Sequence, residues 1–206
     1  MKKSFALLVV CMLVIGLLAG CGGGDKKPAA PAAPAADKKV FVNIATGGTA
    51  GVYYPLGGAM AEIFNKNIPG MNASAQSTGA SVANINRSKD GKVEVALVQN
   101  DIAYYAANGT EMFKDKKVEA IQGIASLYNE TIQIVTIEGK GIKTVADLKG
   151  KRVAVGALGS GTEANARQIM EIFGITYADI KPQYLSFGEA ANGLKDGNID
   201  VAFVTA

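Results

Sequence analysis

Histidine is absent from this chain of 206 residues, and cysteine occurs only twice. The first absence removes the usual general base, the usual zinc ligand and the usual physiological pH switch together. The second removes a disulfide framework, because Cys11 falls inside an N-terminal apolar run and Cys21 directly after it. Charge is scarce as well. Charged residues make up 19%, and the formal charge of +3 falls to +1 once Lys2 and Lys3 leave with a leader. A near-neutral chain has no electrostatic footprint for nucleic acid or for anionic lipid, so no nucleic-acid partner is expected. Nucleotide fingerprints are missing too. A Gly-x-Gly-x-x-Gly pattern counted from Gly47 meets Thr49 and Val52 at required glycines, and a phosphate-loop pattern over Gly156 to Gly161 meets Thr162 in place of lysine. Gly-x-Ser-x-Gly fails around Ser160, where Leu158 and Thr162 hold the glycine positions, and no Ser-x-x-Lys occurs. No cofactor or metal is expected, and an enzyme reading starts without a nucleophile and base.

What is present begins with Met1-Lys2-Lys3, then an apolar run from Ser4 to Leu17, then Leu18-Ala19-Gly20-Cys21. The run falls short of the ~20 residues that cross a bilayer. Charge, apolar segment and small residues in that order read as a secretory signal. A cysteine after Leu-Ala-Gly resembles a bacterial lipobox, which implies lipidation at Cys21 after removal of residues 1–20. Residues 21–39 carry glycines and alanine-spaced prolines, the composition of a flexible linker. The expectation is a membrane-anchored lipoprotein outside the cytoplasm, in a periplasm or on the outer face of the cell membrane.

From Val40 on, strand-like and helix-like runs alternate. Strands are expected at Val40–Ala45, Asn72–Gln76, Val93–Val98, Ala120–Leu127, Thr131–Ile137, Arg152–Val155, Ile180–Leu185 and Ile199–Val204. Helices are expected at Tyr54–Asn67, with Leu56, Met60, Ile63 and Phe64 on one face, at Ala80–Lys89 and at Ile102–Asn108. A fourth runs from Thr162 to Phe173, with Ala166, Ile169 and Phe173 inward. Thr144–Asp147 and Ser186–Glu189 have the capping-box spacing that starts a helix. The alternation implies an α/β fold with parallel-rich sheets covered on both faces.

Three strand-to-helix junctions share a character: Thr46 to Tyr54, Ser77 to Ser81, and Gly156 to Thr162. Each joins glycine, hydroxyls and a helix start, whose free N–H groups favour an anion. In open α/β sheets, ligands bind at the carboxyl ends of strands, where these junctions fall. Val98-Gln99-Asn100-Asp101 ends a strand and opens a helix, so an amide and a carboxylate at that rim suit an ammonium group; the alternative, favoured over it, is that Asn100 or Asp101 merely caps the helix. Of Tyr53 and Tyr54, one is expected to touch a ligand and the other to anchor the core. Arg152 and Arg167 have the chemistry to clamp a carboxylate, yet their positions read as surface.

The motif order Ala45-Thr46-Gly47-Gly48-Thr49-Ala50-Gly51-Val52-Tyr53-Tyr54-Pro55-Leu56-Gly57, Ser77 to Ser81, Val98 to Asp101 and Gly159-Ser160-Gly161-Thr162 resembles the TAXI-type solute receptors of TRAP transporters. The likeness spans Val40 to Ala206. It implies a type II periplasmic-binding-protein fold of two lobes, residues 40–130 and residues 131–206, with the hinge strand at the start of the second. It further implies a small carboxylate ligand, glutamate or a related acid among those known for the family, and delivery to a TRAP membrane permease without catalysis. On this resemblance Gly48, Thr49, Ala50, Tyr53, Thr78, Ser81, Gln99 and Asp101 line the first lobe's side of the cleft, and Ser160, Gly161 and Thr162 face them. Against that pattern the second lobe reads as incomplete, with the return crossing beyond Ala206. An exported hydrolase or transferase, or a surface antigen with no small ligand, are the alternatives.

Overall fold

Two sheets of unlike topology organise the chain. A computed structural model describes residues 39–206, so the expected signal segment, the Cys21 lipidation site and most of the linker lie outside the described residues. The first sheet has the order β2-β1-β3, from β1 (Val40–Ala45), β2 (Met71–Gln76) and β3 (Val95–Ala96). Both of its pairings are parallel. The second has the order β4-β7-β5-β6, from β4 (Ile132–Thr136), β5 (Arg152–Ala154), β6 (Lys181–Gln183) and β7 (Val201–Thr205). Here β5 runs parallel to both neighbours, while β4 pairs antiparallel with β7 in the register Ile132 to Thr205.

Parallel neighbours require crossovers, and helices supply them. Helix α1 (Tyr53–Asn67) joins β1 to β2 and α2 (Ser81–Lys89) joins β2 to β3. The third, α3 (Asn100–Asn108), stops where Gly109 takes a left-handed backbone, φ 67°, that frees the chain to turn. In the second half α4 (Gly161–Ile172) joins β5 to β6, and α5 (Phe187–Lys195) joins β6 to β7. The capping boxes at Thr144 and Ser186 form as the spacing predicts.

The strands buried on both faces read as unbroken apolar runs. Val153, Ala154 and Val155, with Val201 to Phe203, form the middle of the second sheet. On one face Leu148, Ala166, Met170, Ile175 and Ile180 pack against them, and on the other Ala190, Leu194 and Ile199. The first sheet is thinner: Ile44, Ala61 and Ala73 form its core with Met60 and Phe64. A further cluster of Ile85, Ile102, Ala106, Phe113 and Val118 includes Ala164 of α4, so apolar packing runs between the two halves.

Three expectations need correcting. Residues 120–127 form no strand; they run irregular and exposed, Ile124 at 84%, because no neighbouring strand among the described residues satisfies their backbone. Ile63 is exposed, because α1 buries Tyr53, Gly57 and Ala61, and a residue two beyond Ala61 turns outward. Phe173 is exposed too: α4 ends at Ile172, and Met170 and Ile175 fill the place expected for it.

Candidate functional site

The carboxyl ends of β1, β2, β3, β5, β6 and β7 open onto one cavity of about 50 Å³, room for a few water-sized groups. The residue preceding each α-helix lines it: Val52 before α1, Ala80 before α2, Gln99 before α3, Ser160 before α4 and Ser186 before α5. Five helix dipoles thus point their positive ends at one space. At α1 and α2 no side chain caps the first turn, which leaves N–H donors for a guest, whereas at α3 Asp101 accepts the Ile102 N–H at 2.8 Å. Among the described residues, no lysine or arginine lines the cavity.

Local sequence explains each loop. Gly48 and Gly51 close a tight turn through a 3.0 Å N–H to C=O bond, which throws Thr49 and Ala50 outward. Thr78 Oγ1 donates to the Thr46 carbonyl at 2.9 Å and accepts the Ala80 N–H at 2.9 Å, holding Ala80 at φ 71° and ψ −147°. Asn84, fully buried, ties the same loop to β3 by donating to the carbonyls of Thr46 and Leu97. Ser160 caps α4 by accepting the Glu163 N–H, and Thr162 donates to Thr205 at 3.0 Å.

Of the residues expected at the site, Gly48, Tyr53, Thr78, Gln99, Ser160 and Thr162 line the cavity. Five do not. Thr49 and Ala50 are exposed on the turn just described. Ser81 is buried behind the wall, where its oxygen accepts the Gln99 N–H at 3.1 Å. Asp101 is turned aside: one oxygen accepts the Ile102 N–H at 2.8 Å and the other accepts Asn165 Nδ2 at 2.7 Å. Gly161 is buried against the Gln99 side chain, which occupies the place a Cβ would take. Tyr53 is the tyrosine that lines the cavity, and Tyr54 does not. Arg152 holds Asp200 bidentately at 3.0 and 2.7 Å, drawing that carboxyl far below the usual range, and Arg167 pairs with Glu111 and Glu171.

The structure adds residues that the motif spacing missed. Glu130, Tyr128, Ser186, Phe187 and Thr205 all line the cavity. Glu130 is its one carboxylate among the described residues. Tyr53 Oη donates to Glu130 Oε2 at 3.0 Å, and Tyr128 Oη donates to Oε1 at 3.1 Å. Partial burial raises the Glu130 pKa, with the Asp101 charge adding to the rise and the two phenol hydrogen bonds opposing it. Burial and the neighbouring Glu130 charge push both phenols well above the ordinary tyrosine value. The visible signal in the sequence was an acidic residue flanked by Tyr128 and Thr131 within the segment that crosses between the sheets.

The halves also touch directly. Gln99 Nε2 donates to Asn165 Oδ1 at 2.6 Å, so the Asn165 amide bridges Gln99 and Asp101. The Ala83 N–H donates to the Gly159 carbonyl at 3.0 Å, and Gln168 donates to the Tyr105 hydroxyl at 3.1 Å.

A family model described as NMT1-like matches residues 44–206. A curated protein of Escherichia coli (strain K12), named for binding aliphatic sulfonates, is 37% identical over 67 residues, 32% of this chain and 21% of that protein. The alkanesulfonate-binding protein SsuA from Xanthomonas axonopodis pv. citri, solved bound to MOPS, is similar with a TM-score of 0.53 and 20% identity, over 81% of this chain and 55% of that one. An ABC uptake transporter substrate binding protein from Streptococcus pneumoniae, solved with bound histidine, is similar with a TM-score of 0.51 and 19% identity, over 80% of this chain and 65% of that one. The chain therefore spans about half the length of the first of these structures and a fifth of the curated protein. The fold is the α/β, periplasmic-binding-protein-like one with parallel-rich sheets.

Proposed function

The chain belongs to the NMT1-like family, and from that premise we propose that it is an extracytoplasmic solute-binding receptor, not an enzyme, that serves a membrane transporter. One observation carries the reading: five helix starts meet at a single cavity whose described lining has no basic side chain. Such a site holds an anionic group by backbone amides. The similar proteins named for sulfonates, or solved with histidine, take solutes with an anionic end, which supports the same class here. The solute we assign is a small carboxylate, an amino acid such as glutamate or glutamine, or a dicarboxylate.

The finer reading follows the motif run from Ala45 to Gly57, which favours a TAXI-type receptor working with a TRAP permease, anchored by lipid at Cys21. A second reading, delivery to an ABC importer, is favoured by the likeness to the ABC substrate binding protein from Streptococcus pneumoniae. Calorimetric titration with L-glutamate, L-glutamine and succinate tests the receptor; silence from all three overturns it. Uptake into proteoliposomes with the cognate membrane protein separates the partners. Transport driven by an ion gradient without ATP supports the TRAP reading, and a strict ATP requirement supports the ABC one. Metabolic labelling with a fatty acid, lost in Cys21→Ser, tests the anchor.

A further inference from the structure

We propose that Glu130, held between Tyr53 and Tyr128, is the seat for a positively charged group on the solute, so that the cavity selects amino acids over acids that lack an amine. The inference rests on the receptor reading above and adds a substrate class to it.

The geometry makes Glu130 an acceptor with capacity to spare. Each carboxylate oxygen takes one phenol O–H, from Tyr53 at 3.0 Å and from Tyr128 at 3.1 Å. An ionised carboxylate has about four acceptor directions, so each oxygen keeps one for a guest. The donors are fixed in turn. Tyr53 is itself buried at the start of α1, and Ser81 behind the cavity wall accepts the Gln99 N–H at 3.1 Å. The charge is uncompensated: Glu130 makes no ion pair among the described residues, and the charge of Asp101, of the same sign, acts on it. A half-buried carboxylate without a cation is unfavourable until a partner arrives. Across the same cavity, the uncapped starts of α1 and α2 favour the opposite sign. A site with one carboxylate and several converging amides fits a molecule that carries both charges.

The rival seat for an amine, Gln99 with Asp101, is already occupied. Gln99 donates to Asn165 at 2.6 Å, and both Asp101 oxygens accept bonds from the protein.

The test is calorimetry on the full chain with matched probes: L-glutamate against glutarate, L-alanine against propionate, and butylamine alone. We expect each amino acid to bind roughly 10- to 100-fold tighter than its des-amino partner, the range of one charge-assisted hydrogen bond. In Glu130→Gln the ratio should fall below about 5-fold. Should that variant fail to fold, the wild type carries the test, because L-glutamate and L-alanine must still bind more tightly than glutarate and propionate at neutral pH. Equal affinity for both members of a pair, or a ratio unchanged in the variant, overturns the inference and leaves a carboxylate receptor standing. Butylamine binding that depends on Glu130, with no response to any acid, upholds the seat and overturns the carboxylate reading. Silence from every probe overturns both.

Discussion

Glu130 costs the unliganded protein stability, and the sign of its titration says when. Its folded pKa is raised chiefly by burial, so the native carboxyl holds its proton at pH values where the unfolded one has lost it. Stability therefore declines as pH climbs from the ordinary glutamate range of about 4.3 through the raised value, then levels off. Tyr53, Tyr128 and Asp101 face this group, and both phenols stay protonated throughout because their own values are raised. Glu130→Gln should match the wild type in urea midpoint below about pH 4 and exceed it near neutrality. Asp200 behaves in the opposite sense. Arg152 lowers its pKa by a bidentate grip, so its contribution is present above the ordinary aspartate value of about 3.9 and fades as pH falls below it. Asp200→Asn should lower the melting temperature at pH 7 and narrow that gap on acidification. The contrast also separates the two arginines from the site. A bidentate pairing already made within the protein leaves Arg152 no role toward a solute.

Elements were more legible than the site they build. The starts of α1, α2, α4 and α5 were written in the sequence as glycine, hydroxyl or capping-box chemistry, and β1, α1 and α2 fall within one residue of their expected bounds. That chemistry is local, and local chemistry is what sequence patterns report. Glu130 was not visible in this way, because its role arises from Tyr53, 77 residues away, and no spacing rule links them. Thr49 and Ala50 failed for the converse reason: they share the glycine-rich motif, but the bond from Gly51 to Gly48 points that turn's apex to solvent. The α2 start stores strain. Ala80 lies at φ 71° and ψ −147°, where a side chain is disfavoured by about 1–3 kcal/mol. Ala80→Gly should stabilise the fold by about 1 kcal/mol in chemical denaturation. The packing of α1 on β1 should react the other way. A Cβ on Gly57 runs into the Thr46 side chain, so Gly57→Ala should cost about 1–3 kcal/mol.

At the scale of the molecule, the two sheets meet through residues too small to keep them apart. A Cβ on Gly161 would strike Gln99, and one on Gly79 would lie 2.7 Å from the Leu158 carbonyl oxygen. Gly79→Ala, whose Cβ meets main chain, should hold the halves apart, which small-angle scattering reads as a larger radius of gyration, with solute affinity reduced at least roughly tenfold. Asn165→Ala removes the amide bridging Gln99 and Asp101 without adding bulk, so it should weaken binding while leaving the radius of gyration nearer that of the wild type.

The bonds that join the halves are made by amides, hydroxyls and main chain, with Asp101 as an acceptor. Among the described residues the one ion pair between them, Arg167 with Glu111, is long at 3.9 Å and partly exposed. Dissolved salt screens such a surface pair readily but hardly touches short dipolar bonds shielded from solvent. A protein exposed to brackish or dilute surroundings would keep the same grip in both.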